Sequence, residues 1–425
     1  MLSTLRNAWR TPELRKKILF TLFILVIYRL GNHILVPGID TSQLKNLASS
    51  GTLFGLYDLI SGGAFSNFNI FAMGVVPYIN ASIVIQLLTI AIPALEQLSK
   101  EGEDGRKKIQ NITRYAAVGF AILQSFTTYV IIANAGAVRD TSKLNVFLIM
   151  LTVITASIFL MWLGDQITVK GLGNGVSLLI FVNIVSRLPV TAVQIMGLQS
   201  AETVNIVEVI IFIAVIAALL LAVVIMSLAE RRIPVQYAGK TVGNKTFRGQ
   251  STHIPINMNT SGVIAIIFAS SVMQFPETIV QFWPNSAVFR AITGSAFSPF
   301  KKNTAFYAIV FFLLILFFGW FYTQITFKPD EMAENMHKSS GFIPGIRPGD
   351  STARYIEKVL NKVSILGGAF AGIIAVFPIV LEGYTKFKGI YFGGTSLLIL
   401  VGFALDTLRQ MESQLVMRHY QGFLK

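Results

Sequence analysis

Ten apolar stretches, each near membrane-spanning length, run along this chain and decide what it can become. A helix needs about 20 mainly apolar residues to cross the hydrocarbon core. Backbone polar groups in lipid must be satisfied internally, so each stretch has to be a helix. The expected spans are 18–36, 71–92, 115–134, 144–163, 174–194, 204–229, 260–282, 304–325, 363–381 and 391–408. The sixth and eighth are the clearest. The second, fifth and tenth carry Gly, Pro, Asn and Ser, as spans packed inside a bundle do. The first stretch is too long for the apolar part of a signal peptide, and no small-residue cleavage site is clear, so it reads as a span.

Charge distribution orients the bundle. With the N-terminus inside and loops alternating, 25 of the 35 Lys and Arg fall on one side, nine on the other, and Arg29 within the first span. That is the positive-inside pattern, with both termini cytoplasmic. The inner loops 229–258 and 326–362 are long as well as basic. Orientation does not require length, and long loops more often carry function. A large acidic or RNA-bearing partner fits the net charge of +14.

Several function classes are disfavoured. The absence of cysteine excludes disulfides, thiol chemistry and cysteine-ligated metals. Asp165, Glu208, Glu230, Glu382, Asp406 and Arg29 all sit at or near span ends, and no ionisable residue is expected near the middle of any span. Ion-coupled transporters usually hold such groups at depth. GLGNG at 171–175 follows a membrane helix and lacks the strand–turn–helix setting of a nucleotide site. Glu331, Glu334 and His337 sit at helical spacing in a charged loop and read as a solvated face. No nucleophile–base or metal set is apparent, so neither catalysis nor a cofactor is expected. A ten-span secondary transporter with inverted repeats is the alternative reading.

Three features do not belong to a plain bundle. Residues 53–70 (LFGLYDLISGGAFSNFNI) start amphipathic, break at Gly62-Gly63 and then turn polar. They are too polar to span and too apolar for water, which fits a re-entrant element inside a cavity. GNGVSLLI at 173–180 resembles GGTSLLI at 393–399. Each opens a weak span, five spans apart and opposite in direction, as an inverted repeat would give. GFIPGIRPG at 341–349 has three Gly, two Pro and one Arg. Proline stiffens the backbone and glycine permits reversals, which predicts a protruding hairpin holding Arg347 outward.

Seven ordered motifs carry a resemblance: PYINASIVIQLLT at 77–89, KEGEDGRKKIQNITRY at 100–115, MWLGDQIT at 161–168, GLGNGVSLLIF at 171–181, AERRIPVQYA at 229–238, GFIPGIRPG at 341–349 and YFGGTSLLI at 391–399. The chain resembles the SecY family, the central subunit of the bacterial Sec translocon, over nearly its whole length. One departure is Ala265, where many relatives have proline.

The resemblance implies an all-α polytopic membrane protein of the bacterial plasma membrane. Ten transmembrane helices would form two pseudo-symmetric five-helix halves, 1–200 and 201–425, around a central pore. The implied function is a protein-conducting channel for unfolded secretory polypeptides that also releases apolar segments sideways into lipid. The re-entrant segment would be a plug helix, including Tyr57, Asp58, Ile60, Gly62, Gly63 and Phe65. The pore ring would be Val75, Ile79, Val176, Ile180, Ile267 and Ile399. Branched aliphatics exclude water and offer no fixed hydrogen bonds to trap a passing chain. The lateral gate, between the second and seventh spans, would involve Asn80, Gln86 and Asn259. Arg231, Arg232, Lys240, Lys245, Arg248 and Arg347 would dock a ribosome or the motor ATPase SecA. Companion subunits resembling SecE and SecG, signal sequences and membrane lipid complete the implied partners.

Overall fold

The computed structural model describes residues 6, 8–41, 61–65, 67–134, 136–200, 204–237, 241–242, 245–246, 251–259, 262–282, 304–384 and 394–422. The N-terminal part contains α1 (Pro12–Gly31), α2 (Val76–Ala91), α3 (Pro93–Lys100), α4 (Glu103–Asn134), α5 (Lys143–Lys170) and α6 (Gly175–Ser200). Then come α7 (Ile206–Leu228), β1 (Glu230–Tyr237), β2 (Thr241–Val242), β3 (Lys245–Thr246), β4 (Ser251–Asn257) and α8 (Gly262–Phe282). The chain ends with α9 (Ala305–Phe327), α10 (Pro329–Lys338), β5 (Gly341–Phe342), α11 (Asp350–Tyr384) and α12 (Gly394–Gly422).

Every expected span overlaps a described helix. Six of these helices are alone long and apolar enough to cross a membrane, and the bent pair α2–α3 makes a seventh. α1, α8 and α12 cover the other three expected spans, so the count of ten is compatible with the helices and not settled by them. α7 shows what surrounds the bundle. Ile206, Val207, Ile210, Ile211, Ile213, Leu221 and Ile225 are all more than half exposed. An apolar face this large belongs against lipid.

Helix ends depart from the expected spans in a consistent way. α4 starts at Glu103 rather than 115, α11 at Asp350 rather than 363, and α12 continues to Gly422 rather than 408. Hydropathy marks the hydrocarbon core, while good helix formers such as Glu, Lys and Arg extend helices into water. α2 starts late, at Val76, after Gly74 at φ 56°. Its end is set by Pro93, where the chain bends by 99° into α3.

Two features depart from the expected all-α bundle without mid-span charge. The basic loop 229–258 carries strands. β1 pairs antiparallel with β4 from Glu230↔Asn257 to Gln236↔Ser251, and β5 joins the same sheet through Gln236↔Phe342 and Tyr237↔Gly341. The two basic loops are therefore one β4-β1-β5 unit. Ile233, Val235, Ile256 and Ile343 form its core against Ile356, Leu360 and Val363 of α11. The second departure is Arg187, which lies midway along α6 and breaks the expectation of no mid-span charge.

The hydrophobic core divides. One cluster draws on α7, α8, α9, α11 and α12 alone. Another joins α1, α5 and α6 to Ile399 of α12. The two parts of the chain meet where α6 packs on α12 and α4 on α8.

Candidate functional site

Between those parts lies a cavity of about 550 Å³. At the end nearest the β-sheet its wall is polar, with Asn174, Asn257, Asn259, Arg409 and Gln410. Deeper, it is lined by Ile79 of α2, Val176 and Ile180 of α6, and Ile267 of α8. Val75, Ile180 and Ile399 are buried in one cluster, against which Ile79 and Val176 also pack. Five of the six expected ring residues thus share one hydrophobic cluster, and Ile267 lines the cavity. Val75 is the residue capping α2 rather than a member of it. The wall thus changes from polar side chains to branched aliphatics. Such a cavity can hold a hydrated chain at one end and exclude water at the other.

Two glycines set how closely α6 and α12 begin to the helices before them. A Cβ on Gly175 would lie 2.0 Å from the Gly164 carbonyl of α5, and one on Gly394 would lie 1.7 Å from the Ile374 carbonyl of α11. Only glycine lets α6 and α12 start this close to the preceding helix. Five residues on, Ile180 and Ile399 are 3% and 6% exposed. Asn174 accepts a hydrogen bond from the Ser177 amide at 3.2 Å, so GLGNG is a capped helix start.

The polar residues of α2 and α8 do not all meet. Ser271 Oγ of α8 approaches Asn80 Oδ1 of α2 at 3.3 Å, and also donates to its own helix at Ile267 O at 2.9 Å. Ser271 is a contact that sequence reasoning missed, because a lone mid-span serine looks like a small packing residue. Asn259, just before α8, donates from Nδ2 to Ser227 Oγ at 3.1 Å. Gln86 and Asn259 face the same cavity. Ala265 is fully buried, and the proline within α8 is Pro276.

Of the expected plug, Tyr57, Asp58 and Ile60 lie outside the described residues. The described remainder is a series of turns rather than a helix. Ser61, Ala64 and Phe65 are buried, with Gly62 at φ 67° and Gly63 at φ 92°.

Of the basic residues, Arg231, Arg232 and Arg347 are exposed. Arg232 is engaged by Glu230, donating from Nε at 2.6 Å. Arg347 sits in the turn between β5 and α11, with Gly345 at φ 81° and Gly349 at φ 97°. Buried Ile343 anchors one side of that turn, and Thr352 Oγ1, donating to the Arg347 carbonyl at 3.0 Å, anchors the other. Lys245 lies in β3, while Lys240 and Arg248 lie outside the described residues. Two acidic residues of α10 are in ion pairs: Glu331 with Lys328 at 3.0 Å and Glu334 with Lys338 at 2.8 Å. The Lys338 hydrogen bond holds the Glu334 carboxyl below its usual pKa.

A family model described as SecY matches residues 69–408. The chain is 42% identical to the protein translocase subunit SecY of Streptomyces scabiei, covering all of both chains. It is 39% identical to that of Aquifex aeolicus over 99% of each. In fold it is similar to a solved protein-conducting channel, with TM-score 0.67, 18% identity and 95% and 93% of the two chains covered. It is also similar to Sec61 in the canine ribosome–channel complex, with TM-score 0.64, 17% identity and 95% and 93% covered.

Proposed function

This chain belongs to the SecY family, and we propose that it is a passive channel that passes unfolded secretory polypeptides across the plasma membrane and releases apolar segments sideways into lipid. What carries the reading is the cavity between α2, α6, α8 and α12, polar at one end and closed by Ile79, Val176, Ile180 and Ile267 at the other. A hydrophobic constriction gates by dewetting and closes on a chain of any sequence. Parts 1–200 and 201–425 act as two bodies that separate at α2 and α8. A signal sequence, itself an apolar helix, replaces that contact with its own surface. Segment 53–70 is the plug.

The chain supplies no chemistry, and the driving energy comes from a ribosome or a motor ATPase resembling SecA. The β-sheet unit and the turn bearing Arg347 dock that partner on the cytoplasmic side, where both termini also lie. Small companions resembling SecE and SecG brace the bundle. The single constrained guanidinium of Arg347 supports this, since arginine suits phosphate and carboxylate recognition.

The test is import of a labelled preprotein into vesicles holding the purified chain, its companions and the motor ATPase. Protease-protected preprotein that appears only with ATP is expected. Uptake of a small solute against an ion gradient, with no preprotein imported, would overturn the reading in favour of a transporter.

A further inference from the structure

Arg187 stands where an apolar span accommodates it least, midway along α6, and Asn183 one turn before it is 1% exposed. A charge within a span is costly and usually functional. Both residues face the same short segment. A Cβ on Gly62 would lie 2.8 Å from Asn183 Oδ1. A Cβ on Gly63 would lie 3.5 Å from Arg187 Nη2 and 3.6 Å from both Cζ and Nε. These three atoms are nearly equidistant, so the guanidinium plane covers the glycine. The positive φ of Gly62 and Gly63 disfavours any side chain there, whatever the space. Phe65 N donates to Ser61 Oγ at 3.2 Å and tightens the turn. On the far side, Tyr28 of α1 donates to Asn183 Oδ1 at 2.7 Å, and Arg29 Nη1 donates to Ser186 Oγ at 3.0 Å. The polar side of α6 is thus held in orientation by α1.

We propose that Asn183 and Arg187 form a polar seat that holds the base of the plug closed, with Tyr28 fixing the seat's orientation. This rests on the reading of 53–70 as the plug. Ring and seat do different work. The ring closes around whatever occupies it. The seat is directional: it accepts the Gly62–Gly63 turn in one place and releases it when the turn moves. Arg187 is a positioning residue, since it acts on conductance through the plug.

The test uses the full channel with its companions in planar bilayers, in four forms: intact, Arg187→Gly, deletion of residues 57–67, and both changes together. Losing one charged contact shifts an equilibrium by about tenfold, so resting conductance should rise by about that factor in Arg187→Gly. The deletion should leak at least as much, and adding Arg187→Gly to it should change nothing further. Arg187→Lys keeps the charge but loses the planar fork, and should fall between. Asn183→Ala should leak without any change of charge. It also decides the matter, together with Arg187→Lys, if Arg187→Gly fails to accumulate in membranes. A deletion that does not leak refutes the plug itself. A leaking deletion with unchanged conductance in Arg187→Gly and Asn183→Ala overturns the seat, as does an equal added leak from Arg187→Gly in the deleted channel.

Discussion

Removing the hydroxyl of Ser271 should make the channel less selective for signal sequences. Ser271 has one proton and two oxygens within reach, Ile267 O at 2.9 Å and Asn80 Oδ1 at 3.3 Å. The nearer carbonyl takes it. An asparagine amide turned over presents nitrogen where oxygen was, so Asn80 Nδ2 then donates to Ser271 Oγ and both groups are satisfied. The link between α2 and α8 is therefore one neutral hydrogen bond. Interhelical bonds of this kind average about 0.6 kcal/mol in membranes, close to RT, which is about a threefold change in the closed-to-open ratio. Ser271→Ala should raise import of a preprotein with a weakened signal sequence by about that factor. Import of a strong signal, which opens the gate anyway, should barely change. Asn80→Ala should match it, and the double variant should add nothing, since both remove the same bond. Import by the weak signal in reconstituted vesicles measures this. Independent, multiplying effects of the two substitutions would refute the shared bond, and no effect from either would place the closing force elsewhere.

Replacing Ile79, Ile180, Ile267 and Ile399 together with Ser should raise small-ion flux in planar bilayers while a chain is moving; one substitution alone should do little, since neighbouring aliphatics close over it. Arg347→Glu should leave membrane abundance unchanged, as exposed substitutions usually stay within about 0.5 kcal/mol. Motor-driven import should nonetheless fall by about tenfold or more, because charged contacts contribute roughly 1.5–3 kcal/mol. Gly394→Ala drives a Cβ to 1.7 Å from a backbone carbonyl. Overpacking of that kind costs about 1–3 kcal/mol, read as a lower unfolding temperature in detergent. Gly197→Ala, with nothing within 4 Å, is the control that should not lower it.

The apolar stretches were legible because burial in lipid imposes one solution on them. What the sequence hid follows its own logic. The strands at 230–237 and 251–257 alternate inward Ile233 and Val235 with outward Arg232 and Gln236, yet each carries a proline, which argues against a central strand. Pro234 is tolerated because β5 pairs with β1 only at Gln236 and Tyr237, which leaves β1 an edge at Pro234. The position of Asn259 in sequence pointed toward α2. Its side chain instead serves Ser227, a partner 32 residues away that no local pattern encodes. Arg187 escapes a hydropathy reading because averaging over a window dilutes one charge.

The match of GNGVSLLI to GGTSLLI gains physical content from the two helix starts. Gly175 and Gly394 each abut a carbonyl of the preceding helix, Leu179 and Leu398 are each fully buried, and Ile180 and Ile399 enter one cluster from two parts of the chain. In the proposed channel, the helix start that carries each of these isoleucines is thus set by a backbone contact within its own part of the chain, a contact that does not depend on the other part. Among the described residues the two parts of the chain are also joined by hydrogen bonds between Ser271 and Asn80 and between Lys17 and Gln414. Opening of the proposed channel by an apolar helix needs the apolar contacts between the two parts to be of a kind that another apolar surface can replace.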